Sequence, residues 1–347
     1  IRDRSILSLF LSGLCLLVTM PAYGQPAPGS PAPTFVLNDV YGRPYDLEGM
    51  QDRPMVVLYF FDAASKASRT GMQNLDRLSR QYKEAQLVVW GITQTPASEV
   101  NDFVTKADLQ FPVLIDTGQV SDIYAAQLIL PNVYILGPGL KVLDNFQGGG
   151  KTTEVMLTRL AARQLDRNQP MLAKAISRVV EKRDPGNIEA NTVMGYAALE
   201  TGDLTEAQQR FEKLSRQTGE GEIRGKEGLS AVYAQKGETN KALALAEEVE
   251  QKAPQRAYAN VVKGDVLFSQ GNREAGTAEY KKAAHKKQGE PFQKALAFNQ
   301  LGRVQADEGN YNAARNSYDK GLEINPYNIE TTSNKGVTYV KEGDWAK

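Results

Sequence analysis

The stretch FFDAASKASRTGM, Phe60 to Met72, sets two serines three residues apart, Ser65 and Ser68, at the start of an amphipathic run. A serine hydroxyl acts as a nucleophile only beside a base that takes its proton. The single histidine is His285, and none lies between residues 25 and 150, so no histidine can serve as that base in this part of the chain. His285, in KKAAHKK, reads as a solvated helix end, and one histidine without cysteine partners makes no metal site. GGGKTT, Gly148 to Thr153, lacks the first glycine of a phosphate loop at the required spacing and reads as a hinge. No metal and no cofactor are expected.

The only cysteine is Cys15, inside the apolar run Ile6 to Met20 that follows Arg2 and Arg4. PAYG then ends in small residues, so residues 1–24 read as a signal peptide cleaved after Gly24, with an uncleaved anchor as the other reading. After cleavage the mature chain would hold no thiol and no membrane span, and would be periplasmic or secreted. The 347 residues carry 41 Lys plus Arg against 41 Asp plus Glu, a balance that offers no long-range attraction to nucleic acid. The chain opens on Ile and stops at WAK in mid-repeat, as a fragment would.

QPAPGSPAP, residues 25–33, reads as a stiff linker. Beyond it, short apolar runs (PMVVLYFF, QLVVWGI, FPVLID, NVYIL) alternate with amphipathic stretches, the signature of an α/β layer with a buried sheet over residues 34–148. A helix from Ser68 to Tyr82 would put Met72, Leu75, Leu78 and Tyr82 on one core face.

APTFVLNDVYGRPYDL, Ala32 to Leu47, resembles the opening of the peroxiredoxin and periplasmic thiol-disulfide oxidoreductase superfamily, a thioredoxin-like fold. In that family a strand enters a CxxCR turn followed by Met and Leu at three-residue steps. Arg69, Met72 and Leu75 keep this spacing, so the resemblance sets Ser65 and Ser68 where the two cysteines would stand. It also sets Pro131, in LILPNVYIL, at the family's cis-proline. Disulfide exchange needs a thiolate and a resolving thiol, and peroxide reduction needs a sulfenic acid; serine supplies neither. Thiol oxidoreductase activity is therefore not expected, and the chain reads as a non-enzyme.

The second half is repetitive. Turn glycines fall at Gly202, Gly237, Gly271, Gly309 and Gly343, at steps of 35, 34, 38 and 34 residues. Small residues follow each turn at Ala207, Ala242, Gly276 and Ala314, and the longest step carries an insertion around Lys286 to Pro291. An earlier unit ending at Pro185 has Asn168 at its turn. FNQLGRVQADEGNYNAARNSYDKGLEINP, Phe298 to Pro326, resembles the tetratricopeptide repeat (TPR), whose paired helices stack into a superhelix. About five repeats would fill residues 153–347, the last one truncated, after a hinge at 149–152.

Such repeats imply an inner groove for a protein or peptide segment. Its expected lining is Thr192, Tyr196, Arg224, Tyr258 and Val261, continued by Asp265, Phe268, Asn299 and Arg303. The Lys and Asn set with which relatives clamp a C-terminal carboxylate is missing. The expected function is an exported adaptor or scaffold; the alternative is an accessory that holds substrates for envelope redox or cytochrome c maturation enzymes.

Overall fold

β3, Met55–Phe60, is buried along its whole length, and a strand hidden on both faces needs a layer of side chains on each. In this computed structural model, which describes residues 25–81, 83, 86–148, 152–286 and 291–343, β3 lies inside a seven-stranded sheet. The other strands are β1 (Val36–Asp39), β2 (Pro44–Asp46), β4 (Leu87–Thr93), β5 (Val113–Ile115), β6 (Asn132–Leu136) and β7 (Val142–Gln147). Their order is β2-β1-β5-β4-β3-β6-β7, with β3 parallel to β4 and antiparallel to β6.

Strand alternation divides the core. Met55, Val57 and Tyr59 point to a layer holding Met72 and Leu75 of α1 (Lys66–Gln81) and Val100 of α2 (Ala97–Lys106). Val56, Leu58 and Phe60 point the other way, to Trp90, Tyr134 and Val120 of α3 (Gln119–Ile123). The expected face of Met72, Leu75 and Leu78 is buried. Helix α1 begins two residues earlier than the sequence suggests, because Ser65 Oγ accepts the N–H of Ser68 at 3.3 Å and so satisfies one donor of the first turn. Part of the stretch read as a linker joins the fold: Gly29 donates to Val142 O at 2.8 Å, and Ala32 to Leu140 O at 2.9 Å.

Helices then pair in sequence: α4 (Thr152–Asp166) with α5 (Pro170–Glu181), α6 (Ile188–Glu200) with α7 (Leu204–Ser215), and α8 (Glu220–Gln235) with α9 (Thr239–Lys252). They continue as α10 (Tyr258–Ser269) with α11 (Arg273–His285), and α12 (Pro291–Asp307) with α13 (Tyr311–Ile324), before α14 (Ile329–Glu342). The five turn glycines have φ between +75° and +83°, a region closed to most side chains, and Asn168 takes φ +56°. Elsewhere glycine serves close approach. A Cβ at Gly225 of α8 would sit 2.2 Å from the backbone N of Ser215 in α7, where nothing can rotate away.

Helix α4 packs on both halves. Its Met156, Leu157, Leu160 and Ala161 share one continuous core with Met55 and Met72 of the sheet layer and with Ala190 and Met194 of α6. The array then curls back. The turn between α13 and α14 returns to the first domain, where Tyr327 Oη donates to Pro54 O and Lys141 Nζ donates to Glu323 O at 2.8 Å. Asn325 Nδ2 donates to Asp166 O at the end of α4, at 3.1 Å, and the Arg167 guanidinium lies 5.8 Å from the Tyr327 ring centre. The array is thus pinned at both ends, and its first helices enclose a space. The stretch expected to be a signal peptide, with Cys15, and Tyr82, Gly149 to Lys151 of the expected hinge, the insertion at 287–290 and the terminal WAK lie outside the described residues.

Candidate functional site

The serine turn is held by short-range bonds. Ser65 is half-buried at the N-cap of α1, and Ser68, fully buried one turn in, accepts the N–H of Asp62 at 3.4 Å. Both hydroxyls are therefore engaged by backbone N–H groups. Arg69 folds back to donate to Ala63 O and Ala64 O at 2.6 and 2.9 Å, and Tyr59 Oη donates to Ser68 O at 3.1 Å. Burial pushes the Tyr59 hydroxyl up, so it stays protonated and cannot act as a base near neutrality. The Leu130–Pro131 bond is cis. Pro131 is buried, and Gly148 passes so close that a Cβ there would meet Leu130 O at 2.7 Å. Beside this loop, a hollow of about 300 Å³ is lined by Phe60, Asp62, Thr95, Glu99 and Leu130.

The concave face of the helical array is the second candidate. Tyr196 and Tyr258 meet edge to face, with ring centres 5.5 Å apart, and both line a cavity of about 440 Å³. Thr192, Tyr196 and Arg224 line a smaller void of about 40 Å³ between α4, α6 and α8. Val261 is fully buried among Ala257 and Tyr280, and Asn299 is fully buried and accepts from Asn334 Nδ2 at 3.1 Å. Asp265 is bound by Tyr280 Oη at 2.6 Å and by Gln300 Nε2 at 3.3 Å, while Phe268 stacks on Tyr280 at 5.3 Å. Arg303 is exposed and donates to Gln300 Oε1 at 3.0 Å. Of the nine residues singled out in the sequence, the structure thus brings Thr192, Tyr196, Arg224 and Tyr258 to the two cavities.

A buried polar group that was not expected from the sequence reaches Tyr196, which lines both cavities. Arg256 grips Glu227 through Nη2–Oε2 at 2.7 Å and Nε–Oε1 at 3.2 Å. Gln293, from α12, reaches Tyr196 Oη at 3.2 Å, joining helices 97 residues apart. Burial opposes the Arg256 charge, but Glu227 and Glu220 outweigh it and hold the guanidinium above its ordinary range. Removing one member would leave the other charged and buried, the costly case. The sequence signal for the missed positions is the repeat itself. Thirteen residues before each turn glycine stand Glu189, Arg224, Tyr258, Leu296 and Glu330, and two before stand Glu200, Gln235, Ser269, Asp307 and Lys341; of these ten, Tyr258, Leu296, Glu330, Glu200 and Gln235 line the larger cavity.

Comparison with known families follows this division. Residues 28–144 match the AhpC/TSA family, residues 161–298 a tetratricopeptide repeat-like domain, and residues 295–328 a tetratricopeptide repeat. The chain therefore joins a thioredoxin-like AhpC/TSA domain to TPR-like repeats. Thiol-disulfide oxidoreductase ResA of Bacillus cereus is 28% identical over 152 residues, 42% of this chain and 86% of that protein. Chloroplastic peroxiredoxin Q of Oryza sativa subsp. japonica is 35% identical over 96 residues, 27% of this chain and 44% of that protein. The crystal structure of peroxidoxin BcpB from Mycobacterium tuberculosis aligns with TM-score 0.32 and 22% identity, over 35% of this chain and 84% of that one. Among the described residues, no three His, Cys, Asp or Glu side chains gather as a metal site, and no helix is long and apolar enough to cross a membrane.

Glu200 supplies a measurable consequence. Its residue is open to the water of the cavity, yet protein crowds its carboxyl; that desolvation, with Asp166 adding a second negative charge, pushes it up to about 7 from 4.5. The folded state then binds more protons than the unfolded state between these values, so this group's contribution to stability falls as pH rises from about 4.5 to about 7. Urea unfolding of Glu200→Gln should therefore show a gain over the wild type at pH 8 that shrinks toward pH 4.5. A gain equal at both ends would mean that the carboxyl titrates normally.

Proposed function

We propose that the protein is an exported adaptor whose helical array holds a segment of another protein, with the thioredoxin-like domain as a redox-inactive platform. The observation that carries this reading is the cavity of about 440 Å³ enclosed by the first helices, with Tyr196 and Tyr258 in its wall. Pockets of this size suit an anchoring side chain, and tyrosine is a frequent anchor. Redox inactivity is supported by the serines at positions 65 and 68 and by the sole cysteine lying at position 15. Export is supported by Arg2, Arg4 and the apolar run that follows. The protein recovered from cell envelopes should begin at Gln25 by N-terminal sequencing; a chain that keeps residues 1–24 would be anchored instead.

The substrate-holding alternative has one observation in its favour. Leu128 is 94% exposed and Ile129 48% exposed, next to cis-Pro131, an apolar edge where an extended chain could lie. Selection of random decapeptides on the full chain distinguishes the two. Under the adaptor reading, Tyr258→Ala should weaken the selected peptides by about 1 to 2 kcal/mol with helical circular dichroism retained, and Leu128→Asp should leave them unchanged. The reverse pattern moves the function to the proline loop.

For the redox claim, the wild type should not reduce insulin disulfides. S65C/S68C should close to a disulfide, because the two residues stand at the N-cap and first turn of one helix. Activity in the wild type would overturn the platform role.

A further inference from the structure

The larger cavity has a sign. Among its lining residues there is no lysine or arginine, while Glu200 of α6 and Glu330 of α14 stand on its wall. Asp166 also lines it, but already pairs with Arg163 at 2.8 Å. Glu200 and Glu330 have no ion pair among the described residues. Other glutamates of the array do: Glu222 binds Lys226 and Lys252, and Glu250 binds Lys263. Two carboxyls without an ion pair thus line one space that holds no basic side chain, so an entering cation meets no like charge there and can draw Glu200 into its ionised form.

We propose that this cavity receives the lysine or arginine side chain of an extended segment of a partner protein; this rests on the adaptor reading above and adds the chemistry of the anchor. The wall matches such a side chain along its length. Leu199 and Leu296 offer apolar surface for an aliphatic stem. The rings of Tyr196 and Tyr258 can face a cation, and Glu200 and Glu330 can take its N–H donors. The side open to solvent is marked by Ile329, 66% exposed, and by exposed Glu330, so a segment can enter there. A metal ion is a poorer occupant, since no three acidic or histidine side chains come together among the described residues. An acidic segment would be repelled, and an apolar anchor would desolvate Glu200 without a partner.

The test is the composition of decapeptides selected from a random display library on the full chain, repeated on E200Q/E330Q and on E200D/E330D. Both glutamates are exposed, so neither replacement removes core packing. Wild type and the Asp variant should enrich one position for Lys or Arg. Replacing that residue by norleucine in a synthetic peptide should weaken binding about tenfold, the scale of a partly desolvated charge contact. In E200Q/E330Q the basic preference should vanish. Enrichment without a basic position would overturn the cationic anchor and leave the groove standing. A basic preference that persists in E200Q/E330Q would place the cation elsewhere and also overturn it. If no peptide is enriched at all, the groove reading fails and the anchor with it.

Discussion

Helix α4 must hide apolar side chains from two directions with one set of turns. Met156, Leu157, Leu160 and Ala161 complete the layer over β3, and the same helix starts the stack by packing on α5 and α6. Burying each large apolar side chain contributes about 1.5 to 3 kcal/mol, so exposing Met156, Leu157 and Leu160 would cost several kcal/mol. Freeing a short connection returns about 1 to 2 kcal/mol per residue, a comparable sum, so the α4 contact holds the array together with the Tyr327 and Asn325 bonds at its far end. The array takes its starting direction from the sheet, and everything further along inherits it.

What is inherited is closure. Because the stack begins at a fixed angle and curves, its far turn comes back to the first domain, where Tyr327 meets Pro54 and Asn325 meets Asp166. A concave surface that would otherwise face open water becomes the wall of a cavity. Part of it is filled by the chain's own Arg256, Glu227 and Gln293, and part stays hollow between Tyr258 and Glu330. The serine turn shows a parallel economy. Ser65 and Ser68 do for α1 what any N-cap and first-turn hydroxyl can do, so the helix start is stable with no sulfur present.

How much of this was legible follows from range. The turn glycines and Asn168 were readable because positive φ is a local demand, met at each of those positions. The alternation of apolar runs and amphipathic stretches was readable because each strand and helix declares its own buried face. The cavity was half readable: the repeat register found Tyr196 and Tyr258, but placed Val261 and Asn299 on an open surface where the structure has them fully buried. Val261 is taken up by a cluster with Tyr280 of its own second helix and Leu301 of the next first helix, and Asn299 bonds to Asn334 of α14, so both serve the stack rather than the open face. The Gln293–Tyr196 contact and the Tyr327–Pro54 closure join residues 97 and 273 positions apart, and no local pattern predicts them.

The two kinds of charge inside the array differ in how they are satisfied. Glu227 and Arg256 are buried, bidentate and mutually satisfied, an arrangement that fixes α8 against the start of α10. Glu200 is different, since its crowding and the nearby Asp166 oppose its ionisation and nothing offsets the cost. The repeat does not require it: at the same place before the next two turn glycines stand Gln235 and Ser269. A neutral residue there would serve the stacking as well and spare the penalty. Near neutrality a proton relieves part of that cost; a positive charge entering the cavity would relieve it with the carboxylate ionised, which is the compensation the proposed basic anchor would supply.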